Sequence, residues 1–150
     1  MAPGEALAVE PGLVVEARIT PGELDLSCHL EAVSGSGFGA VVTFIGQIRD
    51  HDPEADGRVA RVEYTAHPDA ASILLRVAAE AALPGTRIAV SHRIGMVEVG
   101  QPALVACVAS AHRALAYEVS RQLIEKVKTE VPIWKRQIEA DGSQNWQGLE

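Results

Sequence analysis

Only three lysines occur in this 150-residue chain, Lys126, Lys128 and Lys135. All lie in one stretch, Ser110–Arg136, SAHRALAYEVSRQLIEKVKTEVPIWKR. Arg113, Arg121 and Arg136 share it, against the acids Glu118, Glu125 and Glu130. The stretch is therefore net +3 in a chain of net −7, and everything else carries −10. Cations collected this way suit an anionic ligand, and the alternative is a solvated helix face. Two ammonium groups held close together disfavour each other's charge, which makes either a better proton donor, base or nucleophile near neutral pH. Lys128 and Lys135 are the candidates for that pair, although both also complement the C-terminal dipole of a helix. His112 and Arg113 open the same helix, where free N–H groups can receive an anion. A histidine there equally serves as a cap.

The spacing that positions these groups is helical from Ala111 to about Glu130, with Leu115, Val119, Leu123 and Val127 as the core stripe. Arg113, Tyr117, Arg121, Ile124 and Lys128 form a second stripe beside it, so the Lys128 stem can pack while its amine reaches a crevice. Lys126 lies about 200° around the helix from Lys128 and is expected to face water. Pro132 disfavours helix at Val131, leaving Ile133–Ile138 as a short strand that brings Lys135 back beside the helix end. Arg113 and Lys128 are separated by roughly 22 Å along a helix rising about 1.5 Å per residue. One small ligand cannot touch both within one chain. If they serve one site, a symmetric dimer must supply His112 and Arg113 from one copy and Lys128 and Lys135 from the other.

Upstream, Thr20-Pro-Gly-Glu23 has the form of a capping box, predicting a helix from about Pro21 to Val33. Phe38–Ile48, FGAVVTFIGQI, reads as a strand covered on both faces. Gly46 within it suggests a bulge or close backbone approach, and Arg49 stands where the strand ends. Glycines 37, 39 and 46 lack the spacing of a dinucleotide fingerprint. Asp50–Gly57 is a polar loop, expected to be mobile. Arg58–Ala66 alternates as a half-buried strand, and Pro68 to about Leu83 as a helix with Ile73, Leu74, Val77, Ala78 and Ala81 inward. Arg87–Ile94 is a strand, Gly95–Gly100 a turn-rich segment, Ala103–Ser110 a buried strand, and residues after Ile138 a tail. Short connections between mixed elements predict an α+β fold with a mixed or antiparallel sheet and a long helix in the C-terminal half.

Size and composition fit one domain, residues 13–150, behind a flexible leader, 1–12. No run approaches the roughly 20 apolar residues of a membrane span, and the acidic, proline-containing start is unlike a signal peptide, so a cytoplasmic protein is expected. Cys28 and Cys107 lack a Cys-x-x-Cys pattern and read as buried small hydrophobes. The five histidines show no metal-ligand spacing, so no metal site is expected. Net acidity with few aromatics argues against nucleic acid.

Phe44-Ile-Gly-Gln-Ile-Arg49, Ser110-Ala-His-Arg113 and Lys128-Thr-Glu-Val-Pro-Ile-Trp-Lys-Arg136, with His92-Arg-Ile-Gly95 between, resemble the large-subunit family of molybdopterin synthase (MoaE) over residues 13–147. The resemblance implies an α/β-hammerhead-type fold. It also implies a homodimer within a heterotetramer, each large subunit taking a small ubiquitin-like sulfur-carrier subunit that ends in a Gly-Gly thiocarboxylate. The implied reaction transfers sulfur to cyclic pyranopterin monophosphate, giving the dithiolene of molybdopterin, with no cofactor bound permanently. By position, the catalytic lysines are Lys128 and Lys135, and the substrate contacts are Gln47, Ile48, Arg49, His112, Arg113, Arg136 and Gln137. Gln137 departs from the acid often found after the Lys-Arg pair, which puts in doubt any carboxylate role there. The alternatives are a non-catalytic relative that binds anion or carrier, and a structural dimer whose basic helix ends support an interface.

Overall fold

The computed structural model describes residues 9–52 and 57–148. Apolar alternation and the turns between segments produce eight strands and three helices: β1 (Leu13–Thr20), α1 (Leu26–Val33), β2 (Ala40–Gln47), β3 (Val59–Ala66), α2 (Ala70–Ala81), β4 (Arg87–Arg93), β5 (Gly95–Glu98), β6 (Pro102–Ser110), α3 (Arg113–Glu130), β7 (Ile133–Glu139) and β8 (Gln144–Gly148). They make two four-stranded sheets, ordered β1-β4-β6-β2 and β5-β3-β7-β8. Among the described residues, only the β1–β4 pair is parallel. The expected mixed α+β architecture is what forms.

β6 is apolar without alternation because both its faces are covered. Ala106 and Val108 enter the main core with Leu74 and Val77 of α2 and Val119, Leu123 and Val127 of α3. Cys107 and Ala109 point the other way, onto Val33 of α1. β2 differs from expectation. Its burial alternates, with Val41, Thr43, Ile45 and Gln47 exposed. It is an edge strand, and the helix on that face, α1, packs on β6, β4 and β1.

The capping box at Thr20 does not form. Thr20 ends β1 opposite Arg93, its carbonyl accepts from the Ile94 N–H at 2.9 Å, and its hydroxyl accepts from the Gly22 N–H in a local turn. The helix starts later, capped by Asp25, whose Oδ1 accepts from the Ser27 N–H at 2.8 Å. Cys28, expected inside, is exposed on that first turn with Sγ 3.4 Å from Asp25 Oδ2, whereas Cys107 is buried. Two further segments become strands through pairing. The turn-rich Gly95–Gly100 segment forms β5 on β3, and the tail forms β8 on β7.

Of the expected leader, residues 1–8 lie outside the described residues. Beyond them, the Glu10 carbonyl accepts from the Gly85 N–H at 2.7 Å. Gly12 passes so close to α2 that an added Cβ would sit 1.8 Å from the Ala82 carbonyl oxygen. In the loop expected to be mobile, residues 53–56 lie outside the described residues. Among the described residues no helix is long and apolar enough to cross a membrane.

Candidate functional site

The Pro132 break does what its chemistry requires. α3 ends at Glu130, Val131 is extended (φ −79°, ψ 122°), and β7 begins two residues later. Period-two alternation along β7 then separates three consecutive polar residues. Lys135 and Gln137 lie opposite Tyr64 and Val62 of β3, and Arg136 lies opposite Glu63. Tyr64 and Val62 are buried, so Lys135 and Gln137 share the inward face.

The inward residues meet at Asp52. Its Oδ2 accepts from Gln137 Nε2 at 2.7 Å and lies 3.8 Å from Lys135 Nζ and 3.9 Å from Arg49 Nη2. The side chains of Lys135 and Asp52 are 20% and 10% exposed, that of Arg49 64%. Gln137 is buried, and its Oε1 has no hydrogen-bond partner among the described residues. Arg49 leaves β2 just after a register shift between Gly46 and Gln47, the irregularity that Gly46 suggested. Gln47 is exposed, while Ile48 is buried in the core and hydrogen-bonded through its backbone to Gln101 and Gly100.

Lys128 closes α3, half-buried. Its positive charge acts on His92 of β4, which is almost wholly buried. Burial chiefly, with that charge, pushes His92 down to about 4, against the opposing effect of the Arg93 carbonyl. His92 Nδ1 is 2.7 Å from that carbonyl. A carbonyl only accepts, so Nδ1 carries a proton, and the lowered pKa keeps the ring neutral with a lone pair on Nε2. The Tyr64 ring packs edge-on against it with centroids 4.9 Å apart, and burial pushes the Tyr64 phenol up to about 12. Lys128, His92, Tyr64 and Lys135 thus follow one another from the helix end across both sheets. The two aromatic members stay uncharged at neutral pH, so they add no charge beside the cations.

Arg136 takes the other face of β7. Its guanidinium donates to Glu63 at 2.5 Å and Gln144 at 3.0 Å, and stacks 5.2 Å from the centre of the Trp146 ring. Binding a phosphate through Arg136 would require it to leave Glu63. His112 and Arg113 are exposed at the opposite end of α3. His112 is the N-cap residue, its ring makes no capping hydrogen bond, and its carbonyl accepts from Ser110 Oγ. One chain therefore brings Arg49, Lys135 and Gln137 together at Asp52 and sets Lys128 where its charge acts on His92, while Arg113 lies some 22 Å from Lys128 along α3, at about 1.5 Å per helical residue. Lys126 does not simply face water: its amine lies 3.6 Å from Glu80 Oε2 on α2, because α2 runs beside α3. An open groove on the outer face of α3, from Tyr117 to Lys126, shares no lining residue with the cluster.

The family model described as MoaE protein matches residues 19–130. The chain belongs to the MoaE protein family. It is 37% identical over 148 residues to molybdopterin synthase catalytic subunit 1 of Mycobacterium tuberculosis, covering 95% of this chain and 97% of that protein. The crystal structure of molybdopterin synthase from Staphylococcus aureus superposes with a TM-score of 0.77 at 31% identity, covering 92% of this chain and 96% of that one. The complex of subunits 1 and 2 of molybdopterin-converting factor from Helicobacter pylori shares the fold, with a TM-score of 0.71 at 22% identity and coverage of 86% and 88%. Three residues of this cluster, His92, Tyr64 and Asp52, have no role assigned from sequence. His92 stood in a noted motif, and only the packing shows it against Tyr64. Asp52 sat in a loop without periodicity, and nothing local marked it.

Proposed function

We propose that this chain is the catalytic subunit of a molybdopterin synthase. It would transfer sulfur from the C-terminal thiocarboxylate of a small ubiquitin-like carrier to cyclic pyranopterin monophosphate, forming the molybdopterin dithiolene in the cytoplasm. The observation that carries this reading is the pair of partly buried lysines, Lys135 beside Asp52 and Arg49 and Lys128 acting on His92, with the neutral His92–Tyr64 contact between them. A cyclic phosphate needs cations and N–H donors, and opening it needs a proton donor. Lys128 transfers protons at the reacting carbons beside the incoming thiocarboxylate, and Lys135 orients the pterin. Gln137 Oε1, buried without a partner among the described residues, is an acceptor for ring N–H groups. Arg49 holds phosphate together with His112 and Arg113 of a second copy, since the length of α3 keeps those two from their own chain's lysines. The sulfur arrives on the carrier, so neither Cys28 nor Cys107 is needed. A small-subunit partner is also consistent with the two-subunit complex that shares this fold.

The test is incubation with thiocarboxylated carrier and pterin precursor, following dithiolene product. The wild-type chain forms product, while Lys128→Ala loses about a hundredfold or more of it, as removal of a proton-transfer group does, and Lys135→Ala about a hundredfold, as a misplaced substrate does, with folding and carrier binding intact. Normal product formation by both variants would overturn these roles. Binding of carrier and precursor by the wild-type chain with no product would point to the non-catalytic alternative.

A further inference from the structure

We propose that Asp52 is the carboxylate of this site, a positioning residue that holds Lys135 and Arg49 from across the Gln137 hydrogen bond. The inference rests on the sulfur-transfer reading for its consequence and on geometry for its placement. One oxygen, Asp52 Oδ2, meets the Gln137 amide, the Lys135 amine and the Arg49 guanidinium. A carboxylate with so little exposure needs donors and cations in place of water; Gln137 donates to it at 2.7 Å, and the Lys135 and Arg49 charges lie 3.8 and 3.9 Å away. They also join three parts of the chain, the end of β2, the following loop and β7, and give the amine of Lys135 a neighbour 3.8 Å away.

The same contact accounts for glutamine at position 137. An acid there would face Asp52 across a 2.7 Å contact, and two carboxylates that close must share a proton or separate. An amide at 137 donates to Asp52 instead. The pair needs one carboxylate and one amide, and either member can carry the charge. In this chain the carboxylate sits on the loop and the amide on β7.

Three variants test this: Asp52→Asn, Gln137→Glu and the two together, a double-mutant cycle on contacting residues. Turnover is measured with thiocarboxylated carrier and precursor, alongside the melting temperature. Side-chain nitrogen NMR of Lys135 and Gln137 is recorded on the chain alone, which needs no turnover. Asp52→Asn should lower kcat about tenfold to a hundredfold, as small misplacements of a catalytic group do, and broaden away the Lys135 ammonium signal. Gln137→Glu, with two facing carboxylates, should also lose activity. The double variant should return to within about threefold of wild type, where a tenfold change is about 1.4 kcal/mol, and recover the Lys135 signal. Single-variant losses that add in the double variant would show only structural roles and would overturn the proposal, as would an Asp52→Asn chain with wild-type turnover and an unchanged Lys135 signal. If the NMR pattern appears but the wild-type chain forms no product, the sulfur-transfer reading fails and the placement of Asp52 stands.

Discussion

His92 makes stability fall on the acid side. Its pKa is about 4 in the folded chain, depressed chiefly by burial and then by the Lys128 charge, against about 6.5 in an unfolded chain. As pH falls below 6.5 the unfolded chain takes up a proton that the folded chain refuses, so stability drops through that window and stops dropping near pH 4. One pKa unit is about 1.4 kcal/mol, so the full loss is about 3 kcal/mol, and about 2 kcal/mol of it has appeared by about pH 4.5. Other groups also titrate there, so the measurement is a difference. Asn at position 92 can keep a donor near Nδ1 and has no proton to gain. Urea unfolding of wild type and His92→Asn at about pH 7 and pH 4.5 isolates the effect. The variant is less stable at neutral pH because it leaves a cavity, and its disadvantage shrinks by about 2 kcal/mol on acidification. An equal disadvantage at both values, or an NMR titration of His92 near 6.5, would refute the reasoning. The depressed value also means that Lys128 sees an uncharged imidazole throughout the physiological range.

Mixing an Arg113→Ala chain with a Lys128→Ala chain should recover part of the activity that each lacks, since one site per mixed dimer is whole; no recovery in the product assay would argue against a shared site. Asp25→Ala removes the side chain that caps α1 and should cost about 1 kcal/mol in urea unfolding, whereas Thr20→Ala, outside any helix cap, should cost less. Leu123→Ala empties a fully buried position between α3 and the first sheet and should cost about 3 kcal/mol, within the range for core leucines.

Much of this molecule is legible in the chain itself, for physical reasons that are local. The 3.6-residue stripe of α3 and the proline that ends it place Lys128 on the helix and Lys135 on the strand. The unbroken apolar run of β6 announces a strand covered twice, and the lysines cluster because the segment that carries them is short. Where the local pattern and the fold differ, the deciding partner is distant in the chain. Thr20-Pro-Gly-Glu23 has a cap's composition, but pairing of β1 with β4 commits the Thr20 carbonyl to the sheet, and the helix waits for Asp25. β5 and β8 exist because β3 and β7 offer them edges, which no local pattern records. β2 is apolar on both sides but covered on one, because its place in the strand order is set by neighbours. The candidate site divides in the same way. The identity of its two lysines is written in one stretch of 27 residues, from Ser110 to Arg136, and Arg49 stands at the end of β2. The carboxylate between them comes from Asp52, 83 positions before Lys135, and the neutral wall from His92 and Tyr64 on different sheets. A residue's charge is a property of the chain, but what that charge faces depends on contacts that only folding makes.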